Sequence, residues 1–335
     1  MYKKIAIVGA GSAGAFLASL LTQAGVNVDI YERSRKIGCF CAWGTIESEL
    51  KNLLKYVGLN FEDYILSKVK RMIVDDIELK VTNLVTFNKP KLIYDLIKGL
   101  RVLRTEATKE IAEKYDLIID ATGYRRSLLP KLKNDLLTPT IEYVIRTKDL
   151  NENTIYIKFG KIGYAWIFPM GDGYWHIGAG DIVVNPILLV RKIFKKFNIK
   201  GKVTCSCESY IRSKPPAYCK PMVYRNIVGC GESIGTVFPI TGEGIAHSMK
   251  CSLILFNHIL NGEYLEKYEE AVIKEFKWFN SIFKLTWLLT GSRFKLVFPL
   301  SKSSLSILKY AKRLGAKPPT AVIRALVKLL LRRKI

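Results

Sequence analysis

Three glycines near the start of the chain, Gly9, Gly11 and Gly14, stand at the G-x-G-x-x-G spacing that lets a backbone approach a pyrophosphate. An apolar run, Ile5 to Val8, precedes them and reads as a buried parallel strand. Ser12 and Ala13 lie within the glycine turn as cofactor-binding candidates, and Ala15 to Ala24 carry a helical pattern that stops at Gly25. A second strand, Val26 to Tyr31, ends on Glu32, eighteen residues beyond Gly14. In this arrangement Gly9 permits the tight turn, Gly11 opens the backbone to phosphate, and Gly14 allows close helix-strand packing. The helix N-terminus supplies oriented N–H groups and partial positive charge. Glu32 is placed to accept hydrogen bonds from ribose hydroxyls, which favours FAD or NAD over a 2′-phosphorylated nucleotide. Arg33 and Arg35 behind it leave room for a second, phosphate-bearing ligand.

Two later segments repeat this chemistry. In "YDLIIDATGYRRS" a buried strand, Leu117 to Asp120, runs into Ala121, Thr122 and Gly123. In "NIVGCGESIGTVFPITGEGIAHSM" another strand and glycine turn lead to a helix, with Gly231, Glu232, Pro239, Gly242, Gly244 and Ile245 at the turning points. Between them lies "GYAWIFP". With period two, Tyr164, Trp166 and Phe168 share one face of a strand, and Ala165, Ile167 and Pro169 the other. Such a face is either ordinary core or the wall of a pocket for a large apolar ligand. Trp175, with Tyr174, follows directly and offers a polar handle at the pocket edge.

Cysteine and histidine point to no metal site. Cys39 and Cys41, with Cys205 and Cys207, have one-residue spacing in two distant pairs, which is not a zinc pattern. His176, His247 and His258 are scattered without ligand spacing, and a structural role is expected for each. Arg125 and Arg126 either bind substrate phosphates or form a solvated loop pair.

The elements that must position these residues are read from 335 residues, nearly half of them apolar, enough for one large or two interleaved domains. Seven cysteines without dense spacing, and no signal peptide before the first strand, give the expectation of a reducing, cytoplasmic setting. The formal charge is +24, and from Phe276 to Ile335 there are fourteen Lys or Arg and no Asp or Glu. That surface suits an anionic membrane, nucleic acid or an acidic protein. Basic groups alternate there with Trp, Phe, Leu and Ile at helical spacing, which fits equally an interfacial helix on an anionic membrane and an ordinary helix packed on its own domain with a solvated basic face; a peripheral membrane contact is the most this implies, and no nucleic acid is expected. No apolar run is long enough to span a bilayer.

The glycine turn, Cys41 after the second strand, "ATGYRRS", Tyr164-x-Trp166-x-Phe168-Pro169 and "GESIGTVFPITGEG" together resemble the geranylgeranyl reductase family of FAD enzymes, most closely its archaeal digeranylgeranylglycerophospholipid reductases. The resemblance runs over roughly residues 1 to 265, except about 45 to 85. It implies FAD as cofactor, with Cys41 and Ala42 near the flavin and Gly231 and Glu232 at its ribityl and pyrophosphate. The turn at Pro239, Gly242 and Gly244 would lie under the isoalloxazine. Glu232 departs from the family's Asp, and Lys91, a cofactor-binding candidate, stands where the family's Arg-x-x-Phe-Asp helix has its Arg, with Tyr94 and Asp95 in the other matching places. The implied activity is saturation of isoprenoid C=C bonds on ether-lipid precursors or prenyl diphosphates, with Cys41 and Tyr164 as candidate catalytic residues. Tyr164, Trp166, Phe168, Pro169 and Trp175 would line the substrate. The electron donor would be reduced ferredoxin or NAD(P)H. A monooxygenase or halogenase of the same fold, and a non-catalytic flavin protein with a binding tail, are the alternatives.

The expected fold is α/β, α+β overall: a Rossmann-like FAD domain of the hydroxybenzoate-hydroxylase type, an antiparallel-sheet substrate domain and a helical C-terminal tail. Residues 1–50, 88–133 and 222–262 would form the first, 51–87 and 134–221 the second, and 263–335 the third, with Pro318 and Pro319 setting off a last basic helix.

Overall fold

A computed structural model describes residues 2–34, 42–290 and 300–331. In chain order, β1 (Ile5–Val8), α1 (Ser12–Gln23), β2 (Val28–Tyr31), β3 (Gly44–Ile46), α2 (Glu47–Leu54), β4 (Ile65–Val74), β5 (Ile77–Phe87), α3 (Lys89–Ile97), β6 (Val102–Leu103) and β7 (Leu117–Asp120) make the first third. Then follow β8 (Leu137–Arg146), β9 (Thr154–Phe159), β10 (Gly163–Gly171), β11 (Tyr174–Asp181), α4 (Pro186–Lys196), β12 (Lys202–Arg212), β13 (Val223–Tyr224) and β14 (Ile227–Gly229). Helices α5 (Ile245–Leu260), α6 (Leu265–Glu275), α7 (Phe279–Thr290), α8 (Leu300–Arg313) and α9 (Pro319–Leu331) end the chain.

Among the described residues the strands form two sheets. The first has the order β13-β14-β7-β1-β2-β6 and is parallel except for β13. Its central strands β1 and β7 are buried on both faces and apolar up to Asp120, the last residue of β7, as a parallel sheet requires. Helix α1 packs against α3 and α5. The second sheet, β12-β8-β11-β10-β9-β4-β5-β3, is antiparallel except where β4 meets β9. One of its faces, carrying Ala165, Ile167, Trp175 and Ile177, is sealed by α4 through Leu189, Val190 and Ile193. Asn185 caps that helix by accepting from Ile187 N, and Pro186 fits its first turn.

The layers divide differently from the expected domains. Strand β3 leaves the nucleotide-binding segment and pairs with β5 in the large sheet. Residues of α2 and the following turns, Leu50, Leu54, Val57 and Phe61, pack into the nucleotide-binding core, where an apolar helix face finds its nearest cover. The tail is not a detachable appendage. Helices α6 and α7 join the first core through Tyr268, Val272 and Phe279, while Ala311, Ala321, Val322 and Ala325 of α8 and α9 cover Val74 and Leu79 of the large sheet. A bridge between Lys80 and Lys317, and Arg313 bonded to both oxygens of Glu49 at 2.5 and 2.6 Å, fasten this cover. A double-mutant cycle on Glu49 and Arg313 is expected to give a coupling of about 1–2 kcal/mol in thermal unfolding, because the pair is bidentate and only partly exposed.

Candidate functional site

The turn after β1 builds one end of a large cavity. Gly9 has φ +101°, and a Cβ there would meet Ala121 O at 2.5 Å, so this turn can press against the Ala121–Gly123 turn only as glycine. A Cβ on Gly14 would lie 1.9 Å from Gly9 O. Gly14→Ala is therefore expected to push α1 off the sheet and lower the melting temperature of the ligand-free protein by several degrees, read by calorimetry. Gly11 differs: nothing lies within 4 Å of its missing Cβ, and it faces the cavity. Glu32 accepts from Ala10 N at 2.8 Å and Ser34 N at 2.7 Å, which fixes its carboxylate at the cavity edge. Arg33 also lines this end, 3.8 Å from Glu106.

The middle of the cavity is framed by Ala121, Thr122, Gly123 and Glu232. Buried Asp120 holds this turn by accepting from Thr122, Leu128 and Leu129. Glu232 accepts from Arg212 N at 2.9 Å, and its second oxygen approaches Gly123. Burial pushes the Glu232 carboxyl above its usual range, and Arg212 opposes the shift. The folded state thus holds this proton more tightly than the unfolded chain does. Its contribution to stability is largest below the ordinary carboxylate range and declines as pH rises through the elevated folded value. Glu232→Gln is expected to flatten that decline in melting temperatures measured between about pH 4 and 8.

The far end lies over the exposed face of the large sheet. Tyr164, Trp166 and Phe168 all line it, with Phe168 against Gly44. Gly178 faces Trp166 across the β10–β11 ladder, and a Cβ there would sit 2.5 Å from Trp166 Cζ2, so the indole lies flat across this position. The Tyr164 hydroxyl donates to Thr241 O, which ties the sheet to the 241–244 turn. Gly242 (φ +67°), Gly244 and Ile245 bring the N-terminus of α5 to the same space. Apolar side chains of β4, β5 and β9 (Met72, Val74, Leu79, Ile157) continue the wall, and Tyr310, Leu314, Val322 and Ala325 of the tail close it. The whole cavity measures about 640 Å³.

Several expected residues stand elsewhere. Trp175 is fully buried under α4, donating to Thr147 O at 3.2 Å, and Pro169 shares its face; both point away from the cavity because they alternate with His176 and Phe168. Lys91 binds Asp95 at 2.8 Å and lies over the Tyr64 ring, whereas Lys89 lines the cavity. Asn88 caps α3 by accepting from Lys91 N, which sets Lys89 in the first turn beside the site. Gly231 supports the cavity from behind, against Ala13, and Pro239 sits within the turn without lining it. Arg126 is wholly buried, donating to Pro130 O and Ser233 O at 2.7 Å, so its role is structural; Arg125 reaches the cavity. Ser12, Ala13 and Ala42 line the space. Cys39, Cys41 and Arg35 lie outside the described residues. Among the described residues no group of three metal-ligating side chains occurs, and no helix is long and apolar enough to cross a membrane.

The open cradle at Gly11, the two helix N-termini, the fixed Glu32 carboxylate and the turn at Gly123 and Glu232 fit an extended dinucleotide, and the apolar end leaves space beyond it. Residues 7–64 match the NAD(P)-binding Rossmann-like domain family. An uncharacterised protein of Methanocaldococcus jannaschii is 28% identical over 81% of this chain and 86% of its own length. A digeranylgeranylglycerophospholipid reductase of Methanococcus vannielii is 25% identical over 54% of this chain and 50% of its own length, so the match spans about half of that relative. A digeranylgeranylglycerophospholipid reductase 2 of Methanopyrus kandleri is 26% identical over 81% of this chain and 82% of its own. Among solved structures, a geranylgeranyl bacteriochlorophyll reductase-like protein of Thermoplasma acidophilum superposes with a TM-score of 0.72 at 17% identity, covering 97% of this chain and 95% of that one. The flavin-dependent brominase Bmp2 gives 0.66 at 13% identity, covering 93% and 100%. The fold is that of flavoproteins, the residues around the cavity fit FAD, and the chain resembles the geranylgeranyl reductases at the level of the family.

Proposed function

We propose that the protein is an FAD-dependent reductase that saturates isoprenoid C=C bonds of geranylgeranyl ether lipids or prenyl diphosphates. The observation that carries this reading is the continuity of the cavity: a dinucleotide cradle opens into an apolar space walled by Trp166, Phe168, Ile157 and Val322. A polyprenyl chain buries there at roughly 25 cal/mol per Å² of apolar surface. Gly9, Gly11, Ser12, Ala13, Glu32, Thr122, Gly123, Glu232 and Lys89 would hold the cofactor, and Gly242, Gly244 and Ile245 would present the α5 N-terminus to its ring. Bound and reduced, FAD supplies a hydride. The protein must keep the alkene dry and in register beside it. Tyr164 contributes by fastening the turn at Thr241 to the sheet.

The test is anaerobic. Flavin in the photoreduced protein should reoxidise when geranylgeranylated ether phospholipid is added. Reoxidation only after oxygen is admitted would favour the monooxygenase or halogenase alternative, whose structural relatives share the fold.

The electron donor is either a reduced ferredoxin, whose acidic surface would suit the basic chain, or NAD(P)H. Peripheral contact with an anionic membrane belongs to the same proposal. On the outer side of α8 and α9, Leu305, Leu308 and Ile323 are exposed beside Lys309, Lys312 and Arg324. Leu305→Glu with Ile323→Glu should reduce flotation with anionic liposomes at least about fivefold without lowering the melting temperature, since neither side chain is buried. Unchanged flotation would move the contact to another surface.

A further inference from the structure

The face that carries the aromatic residues also holds an acid and an imidazole. In the β8–β11 ladder Glu142 stands opposite Gly178, and Val144 opposite His176; in the β10–β11 ladder Gly178 stands opposite Trp166, and His176 opposite Phe168. Glu142 and His176 therefore project to the cavity side. Glu142 is 6% exposed and lines the cavity, while His176 is 1% exposed. His176 Nδ1 lies 2.7 Å from Glu142 Oε1. The Trp43 ring covers the imidazole edge-on, 4.5 Å between centroids. Its other nitrogen, Nε2, has no hydrogen-bond partner among the described residues, and the 2.7 Å contact of Nδ1 with Glu142 lacks hydrogen-bond geometry, so the two side chains meet as a close acid–base contact. Gly178 keeps the position between Glu142 and Trp166 clear, so the carboxyl stands beside the indole with only glycine between them.

An acid-imidazole pair in a wall of Trp, Phe, Ile and Val is costly compared with two apolar residues of the same size. Its position gives that cost a use. Alkene reduction needs a proton at the carbon that does not receive the hydride, and Glu142 is a cavity-lining carboxyl that stands beside the Trp166 indole with an imidazole against it.

We propose that Glu142 is the acid that protonates the substrate, and that His176 is a positioning residue that orients the carboxyl and returns its proton. This rests on the reading of the protein as an alkene reductase. Bound and reduced, FAD would supply the hydride, with its two electrons, to one alkene carbon. The π pair takes the proton from Glu142 and forms the second C–H bond. The O–H bond of the carboxylic acid breaks and leaves its electron pair on the carboxylate. His176 then passes a proton to Glu142, and the pair regains that proton from water that reaches Glu142, the member that lines the cavity.

Two measurements test this. The chain has three histidines, so 15N-histidine labelling of the full-length protein isolates His176, assigned with His176→Gln. Glu142→Gln should move both ring nitrogen resonances of His176 and leave those of His247 and His258 in place; unchanged His176 resonances would overturn the pairing. In single turnovers of the reduced, FAD-loaded protein, Glu142→Gln should slow alkene-dependent flavin reoxidation by about 100-fold or more, with half-saturating substrate changed less than about threefold. Glu142→Asp should recover part of the rate. Full activity of Glu142→Gln beside an active native protein would refute the proton role alone. No turnover by the native protein would refute the reductase reading and the proton role with it, whatever the spectra show of the pair.

Discussion

Replacing Gly11 by valine is expected to leave the fold intact and to remove FAD binding. Gly11 has φ −75° and ψ −168°, an extended conformation open to any residue, and an added Cβ meets no atom within 4 Å. The ligand-free melting temperature should stay within about 2 °C of the native value. The space a valine side chain would occupy is the cradle itself, between the α1 N-terminus and the Thr122–Gly123 turn. A pyrophosphate seated on those N–H groups would be displaced, and we expect affinity to fall at least about 100-fold, or about 2.7 kcal/mol, in a flavin fluorescence titration. The contrast with Gly14→Ala matters here, since that change strikes Gly9 O and damages the fold directly. If Gly11→Val bound FAD normally, the cofactor would have to lie elsewhere in the cavity.

The second large effect is expected at the tail. Val322 is 7% exposed and packs with Ala321, Ala325 and Ala311 over Val74 and Leu79. Val322→Asp places a carboxylate among these apolar side chains, at a cost of about 3 kcal/mol or more. Thermal unfolding should shift down by at least several degrees, and an apolar dye should bind where α9 lifts from the sheet. The same packing changes how a truncation must be read. Deletion beyond Lys317 removes α9 and with it one wall of the cavity, so lost lipid binding would not by itself locate a membrane anchor. Exposed substitutions at Leu305 and Ile323 separate the two roles.

What could be read in the sequence was local. The strand, glycine turn, helix and acid from Ile5 to Glu32 lie within one stretch, and each residue type is demanded by backbone geometry there. The face shared by Tyr164, Trp166 and Phe168 follows from period two. The same alternation, carried across to β11 through the register of Phe168 with His176, excludes Trp175 from the cavity; without the register that could not be seen. Both lysines stand in the first turn of α3, but Lys91 is turned to Asp95 and the Tyr64 ring, which leaves Lys89 to line the cavity. The Glu142–His176 pair and the tail's cover over the large sheet depend on contacts between residues far apart in the chain. Composition described the tail as basic and amphipathic, which is equally true of a membrane anchor and of a helix whose apolar side is spent on its own protein.

The central claim is tested most directly by the mass of the product. Native protein loaded with FAD, photoreduced without oxygen and mixed with geranylgeranylated ether phospholipid, should yield lipid heavier by one H₂ for each double bond saturated, in proportion to the flavin reoxidised. Lipid of unchanged mass under those conditions, or lipid that gains oxygen only when air is admitted, would contradict the account.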